Sequence, residues 1–109
     1  MATTALTLDE IYALAHNAMT ANGCNDENAS ALADIVTRAE RDGSHSHGLF
    51  RIPGYVKALR SGKVDGKARP TVTRVTPAVI RCEGHGCFAP LAQASVLPLL
   101  AEAASEVGV

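Results

Sequence analysis

The sequence predicts a mixed α/β (α+β) chain: a helical region over residues 1–69, then the β-β-α opening of an α/β domain over 70–109. Three observations carry this reading. Apolar residues recur at helical spacing as far as Leu59. Two β-branched runs, Thr71–Val75 and Ala78–Cys82, flank Thr76-Pro77 in the manner of a hairpin. Helical spacing then returns from Ala89 to Val107.

The first helix opens on Thr7-Leu8-Asp9-Glu10, a hydroxyl followed three residues on by a carboxylate, the form of a capping box. Ile11, Leu14, Ala15, Ala18 and Met19 form its apolar stripe, and Gly23 fits the left-handed position that ends a helix. A second helix is expected from Asn25 or Asp26, with acidic residues at its positive end and Leu32, Ile35, Val36 and Ala39 on its buried face. Gly43 is the expected stop. The two helices should pack as an antiparallel hairpin.

Gly and Ser cluster over residues 43–48 and break that helix. Pro53, which lacks an N–H, belongs in the first turn of a third helix carrying Tyr55, Val56 and Leu59. Residues 64–70 are turn-rich. The last helix should bury Leu91, Ala94, Leu97, Leu100, Ala101 and Ala104, kink at Pro98 and stop at Gly108, with Val109 starting a further strand.

Among the 109 residues, 47% are apolar and 4% aromatic, so the core must be built from small aliphatic side chains. The net charge is −1 and no basic stripe is present, which excludes the usual footprint of a nucleic-acid binder. No apolar run approaches the roughly 20 residues needed to span a bilayer, and the first residues lack the form of a secretory signal. Three cysteines without framework spacing suit a reducing compartment, so a cytoplasmic setting is expected.

The residues most able to do chemistry are Ser46-His47-Gly48, followed by Arg51 and Tyr55. An imidazole near the start of a helix can be tuned to act as a proton donor. A guanidinium offers a planar fork for a carboxylate. Arg51 and Tyr55, four apart, share a helix face just beyond His47. Ser46 can fix the direction of the ring. The bland alternative is a serine that only caps, an arginine that is only solvated and a tyrosine that belongs to the core.

A metal site is a second alternative, because His45-x-His47 and Cys82-x-x-His85-x-Cys87 supply soft ligands. The Cys-x-x-His-x-Cys spacing is unlike a usual structural knuckle, and no metal is expected. No G-x-G-x-x-G follows a strand, so the Rossmann fingerprint is absent; Gly84-x-Gly86 is too short to count.

The run from Arg41 to Tyr55, Arg-Asp-Gly-Ser-His-Ser-His-Gly-Leu-Phe-Arg-Ile-Pro-Gly-Tyr, resembles the malate/L-lactate dehydrogenase-like family of NAD(P)H oxidoreductases, which does not use a Rossmann fold. The likeness continues through Ser61-Gly62-x-Val64-Asp65-Gly66-Lys67-Ala68 and Pro70. Ser44-His45 ahead of Ser46-His47-Gly48 resembles the branch of Δ1-piperideine-2-carboxylate/Δ1-pyrroline-2-carboxylate reductases, which make L-pipecolate and L-proline with NADPH. Malate, lactate or ureidoglycolate dehydrogenases are the alternative within the family; a small metal-binding or interaction module lies outside it.

The resemblance implies that His47 is the proton donor and Ser46 the group that orients it. It implies that Arg51 clamps the substrate carboxylate and that Tyr55 lines the same pocket. It implies NADPH as cofactor, with NADH possible, a small imino or 2-oxo acid as substrate, and a homodimer. Family members are longer, so the cofactor site is expected beyond Val109, and 1–109 alone is expected to show no turnover.

Overall fold

The computed structural model describes residues 3–108, so the strand expected to begin at Val109 lies outside the described residues. Helix α1 spans Leu8–Ala21 and α2 spans Asp26–Arg41. Two short 3₁₀ turns, His45–His47 and Leu49–Arg51, lead into α3, Ile52–Arg60. Strands β1 (Thr71–Thr76) and β2 (Val79–Glu83) form an antiparallel hairpin, and α4 spans Ala89–Val107.

The caps follow from the sequence. Thr7 accepts from the Glu10 N–H at 3.1 Å, and the Glu10 carboxylate accepts from the Thr7 N–H at 3.0 Å, completing the box. Asn25 caps α2, and Gly23 takes φ 104° between the two helices. The helices pack antiparallel along Ile11, Ala15 and Met19 against Ala29, Leu32, Ala33 and Val36. Burying a side chain such as Leu32, which is fully enclosed, contributes about 1.5–3 kcal/mol.

Two positions depart from the expected stripes. Leu14 is 52% exposed and Ile35 40% exposed, so each lies at the edge of its apolar face and not within it. In their place Ala29 and Ala33 are buried, because small side chains let α1 and α2 approach closely.

Asn28, one turn into α2, is fully buried and polar. Its Nδ2 donates to the carbonyls of Gly66 and Ala68 at 3.1 and 3.0 Å, and its Oδ1 accepts from the Phe88 N–H at 3.1 Å. One amide therefore fastens α2 to the 66–68 turn and to the residue that starts α4. Gly66 is needed for that approach: a Cβ there would stand 2.7 Å from Leu59 Cδ2 and 3.0 Å from the Gly23 carbonyl oxygen. Phe88 itself packs with Met19, Cys24, Ala29 and Leu32, so the helical region and the β-β-α segment share a core cluster.

In the hairpin, Val72 pairs with Cys82 and Arg74 with Ile80, which places all four on the face that α4 covers. Arg74 reaches across to Glu106 at 2.7 Å. The expected apolar face of α4 is corrected by this contact. The covered stripe runs through Leu91, Ala92, Val96, Leu99 and Ala103, while Leu97 and Leu100 are 50% and 44% exposed. The helix is apolar nearly all round, so periodicity alone could not choose the side that meets α2 and the hairpin. It runs on past Pro98 and stops at Gly108, in the left-handed conformation.

The radius of gyration is 15.8 Å with extents of 52 × 30 × 19 Å. A compact chain of this length would have about 13 Å. The elongation matches the row of large apolar side chains left on the outer side of α4.

Candidate active site

The C-terminus of α2 and the start of α3 frame the Ser46-His47-Gly48 segment. Successive 3₁₀ bonds shape it: His47 N–H to the Ser44 carbonyl at 2.9 Å, Gly48 N–H to that of His45 at 3.2 Å, and Arg51 N–H to that of Gly48 at 3.0 Å. These tight turns hold three consecutive exposed residues, His45, Ser46 and His47, on the surface.

Ser46 is the junction of the site. Its hydroxyl is 3.0 Å from His47 Nδ1. Its carbonyl accepts from Arg51 Nε at 2.9 Å. The imidazole and the guanidinium are thus tied to the same residue, and both are exposed. Among the described residues His47 uses only Nδ1 and Arg51 only Nε, which leaves Nε2 of the ring and the terminal nitrogens of the fork open.

Tyr55 stands apart from this hydrogen-bonded group. Its ring packs edge-on against Phe88 with centroids 5.6 Å apart, and it touches both core clusters. In the chain it anchors the first turn of α3.

Glu40 was missed in the sequence, and it organises the segment from beneath. Its carboxylate accepts from His45 Nδ1 at 2.8 Å and from the Leu49 N–H at 3.0 Å. The hydrogen bond from His45 holds its pKa below the ordinary glutamate range. Its side chain is 16% exposed. A Cβ at Gly48 would fall on this carboxylate, so the glycine makes room for it. The one signal in the sequence is an acid in the last turn of a helix, where the dipole disfavours negative charge.

An open depression of about 460 Å³ is lined by Glu40, His45, Ser46 and the ring of Phe50, which is 78% exposed. A larger groove of about 550 Å³ lies between α2 and α4, and Ser46, His47, Arg51 and Tyr55 are not among its lining residues. His85 is held by Thr71 at 2.9 Å, far in sequence from the His45 pair with Glu40. Among the described residues no three His, Cys, Asp or Glu side chains gather as a metal site requires. No helix among them is long and apolar enough to cross a membrane.

With this geometry in place, the family follows. The malate/L-lactate dehydrogenase family model matches residues 6–109, and the chain belongs to that family. It is 45% identical over 104 residues to the Δ1-pyrroline-2-carboxylate reductase of Ancylobacter novellus, covering 95% of this chain and 30% of that one. It is 48% identical over 88 residues to a Δ1-pyrroline-2-carboxylate/Δ1-piperideine-2-carboxylate reductase of Pseudomonas syringae pv. tomato, covering 81% of this chain and 26% of that one.

The fold matches the crystal structure of Δ1-piperideine-2-carboxylate reductase from the same P. syringae pathovar with TM-score 0.91 and 40% identity, over 95% of this chain and 31% of that one. Malate dehydrogenase from Pyrococcus horikoshii shares the fold at TM-score 0.86 and 24% identity, over 96% of this chain and 30% of that one. The chain thus spans about a third or less of the length of these relatives.

Proposed function

We propose that this chain supplies the substrate-anchoring and proton-donating part of an NAD(P)H-dependent reductase of cyclic imino acids. Its substrates in this reading are Δ1-pyrroline-2-carboxylate and Δ1-piperideine-2-carboxylate, taken to L-proline and L-pipecolate. The observation that carries the reading is the junction at Ser46, which holds His47 by its hydroxyl and Arg51 by its carbonyl.

Arg51, with Nε already engaged, offers its terminal nitrogens to both oxygens of the substrate carboxylate. In the imidazolium form His47 donates Nδ1–H to the Ser46 hydroxyl, and Nε2–H faces outward. Transfer of that proton to the substrate nitrogen leaves a neutral ring whose bond to Ser46 is unchanged. The ring therefore need not reorient during the reaction. Tyr55, expected from the family resemblance to line the same pocket, serves in this reading from the core side: its contact with Phe88 supports the first turn of α3, just after Arg51.

The hydride comes from a nicotinamide cofactor, NADPH in the first instance and NADH in the second. The described residues carry no glycine-rich phosphate-binding fingerprint. Gly84-His85-Gly86 is a turn between a strand and a helix, but the Cys87 N–H is bonded to the Gly84 carbonyl at 3.0 Å and the Phe88 N–H to Asn28 at 3.1 Å. Those two N–H groups are therefore not free to face a phosphate. A cytoplasmic setting agrees with three free cysteines, and a homodimer belongs to the same reading through the family resemblance alone.

The test is a chimera in which residues 6–108 replace the matching segment of the A. novellus reductase. It should oxidise NADPH with a cyclic imino acid, and His47→Ala should lower turnover by at least ~100-fold. Unchanged turnover in that variant removes His47 from the mechanism. A preference for open-chain 2-oxo acids would select instead the 2-hydroxy acid dehydrogenase reading, in which the same proton goes to oxygen; the shared fold of the malate dehydrogenases favours it as the second choice.

A further inference from the structure

We infer that Glu40 is a positioning residue for the reactive segment, clamping it from both sides so that His47 and Arg51 keep a fixed relation. The inference rests on the reductase reading for what the segment does, and on geometry for how it is held. Glu40 touches neither His47 nor Arg51. One carboxylate oxygen takes His45 Nδ1, on the residue before Ser46, and the other takes the N–H of Leu49, on the residue after Gly48. The bracketed residues are Ser46, His47 and Gly48.

Besides Glu40, the segment is held by its own short-range bonds, by Arg51 on the Ser46 carbonyl and by Leu49 against the Ile11 and Val36 cluster. His45, Ser46 and His47 are exposed, neither 3₁₀ turn contains a fully buried residue, and Gly48 between them is buried. Short 3₁₀ turns have poor hydrogen-bond geometry and do not persist alone. A carboxylate accepting from a ring N–H and a backbone N–H supplies two charge-assisted bonds at the two ends. Gly48 belongs to the same device, since any larger residue would occupy the place of the carboxylate.

The experiment uses the 109-residue chain and two variants. Glu40→Gln retains an oxygen for Leu49, but its amide nitrogen cannot accept from His45 Nδ1–H; Glu40→Ala removes both contacts. Amide hydrogen exchange and imidazole nitrogen shifts are read by NMR, with pyrrole-2-carboxylate added as a planar anionic probe. In Glu40→Ala the amides of His47 and Arg51, which Glu40 does not touch, should lose protection about tenfold, while the amides of α1 keep theirs. Glu40→Gln should fall between the two and move the His45 proton from Nδ1 to Nε2.

Unchanged protection at His47 and Arg51 in both variants overturns the inference. So does a loss that extends equally to α1, because the residue would then serve global stability only. A wild-type chain in which the probe shifts neither His47 nor Arg51 counts against the reductase reading alone, since the exchange measurement needs no ligand.

Discussion

The backbone N–H of Phe88 donates to Asn28 Oδ1 at 3.1 Å, a bond that joins residues 60 positions apart in the fully buried surroundings of Asn28. It brings the start of α4 onto α2 and seats the Phe88 ring against Tyr55. Tyr55 lies in the first turn of α3, the helix that directly follows Arg51, so the seating supports the start of that helix.

Asn28→Ala should therefore destabilise the chain by ~3 kcal/mol, since the carbonyls of Gly66 and Ala68 and the N–H of Phe88 lose their partner without gaining water. Asn28→Asp should also destabilise, because it sets an oxygen against two carbonyls. Urea unfolding followed by circular dichroism measures both. A change below ~1 kcal/mol in the alanine variant would show that this amide is dispensable.

Gly48→Ala should loosen the reactive segment with little effect on the helices. The new Cβ displaces the Glu40 carboxylate, a movable side-chain end, and so breaks the bonds to His45 and Leu49 without touching the core. The expected result is a far-ultraviolet spectrum like wild type with faster exchange of the Leu49 amide. An unaltered Leu49 amide would mean that the carboxylate tolerates the methyl.

Acid should weaken the fold through three carboxylates. The pKa of Glu40 is lowered by the hydrogen bond from His45, that of Glu10 by the bonds from Thr7 in the capping box, and that of Asp42 by its bond from Arg41. A folded pKa below the unfolded one means that the unfolded chain binds more protons in acid. The contribution is complete above the ordinary carboxylate range near 4 and is lost as pH falls through the depressed values. Melting temperature should accordingly fall below pH 4, and less so in Glu40→Gln. Parallel wild-type and variant curves would remove Glu40 from the effect.

Cys24 should be the slowest of the cysteines to alkylate. Burial pushes its thiol up to about 11, whereas Cys82 and Cys87 are half-buried. Because its folded pKa is raised, its contribution is intact at neutral pH and declines as pH climbs from the ordinary thiol value near 9 through 11. Mass spectrometry after timed iodoacetamide treatment at pH 8 gives the order. Cys24 reacting first would mean that the turn between α1 and α2 opens readily.

Local chemistry was legible in the residues themselves. Thr7 with Glu10, Asn25, Pro53 and Gly108 act on backbone groups within a few positions, so their roles do not depend on the rest of the fold. The serine-histidine-glycine run with Arg51 was visible for the same reason, since Ser46 meets both partners within five residues.

The tertiary structure decided what depends on approach between distant segments. The side of α4 that is covered was set by the hairpin and α2, because an all-round apolar helix carries no preferred face of its own. Asn28 reads as an ordinary polar residue until the 66–68 turn and Phe88 close over it. Glu40 reads as a misplaced acid until the chain doubles back at Gly48 to meet it. Sequence fixes a hydrogen bond when its partners are neighbours along the chain; when they are not, only the folded path brings donor to acceptor.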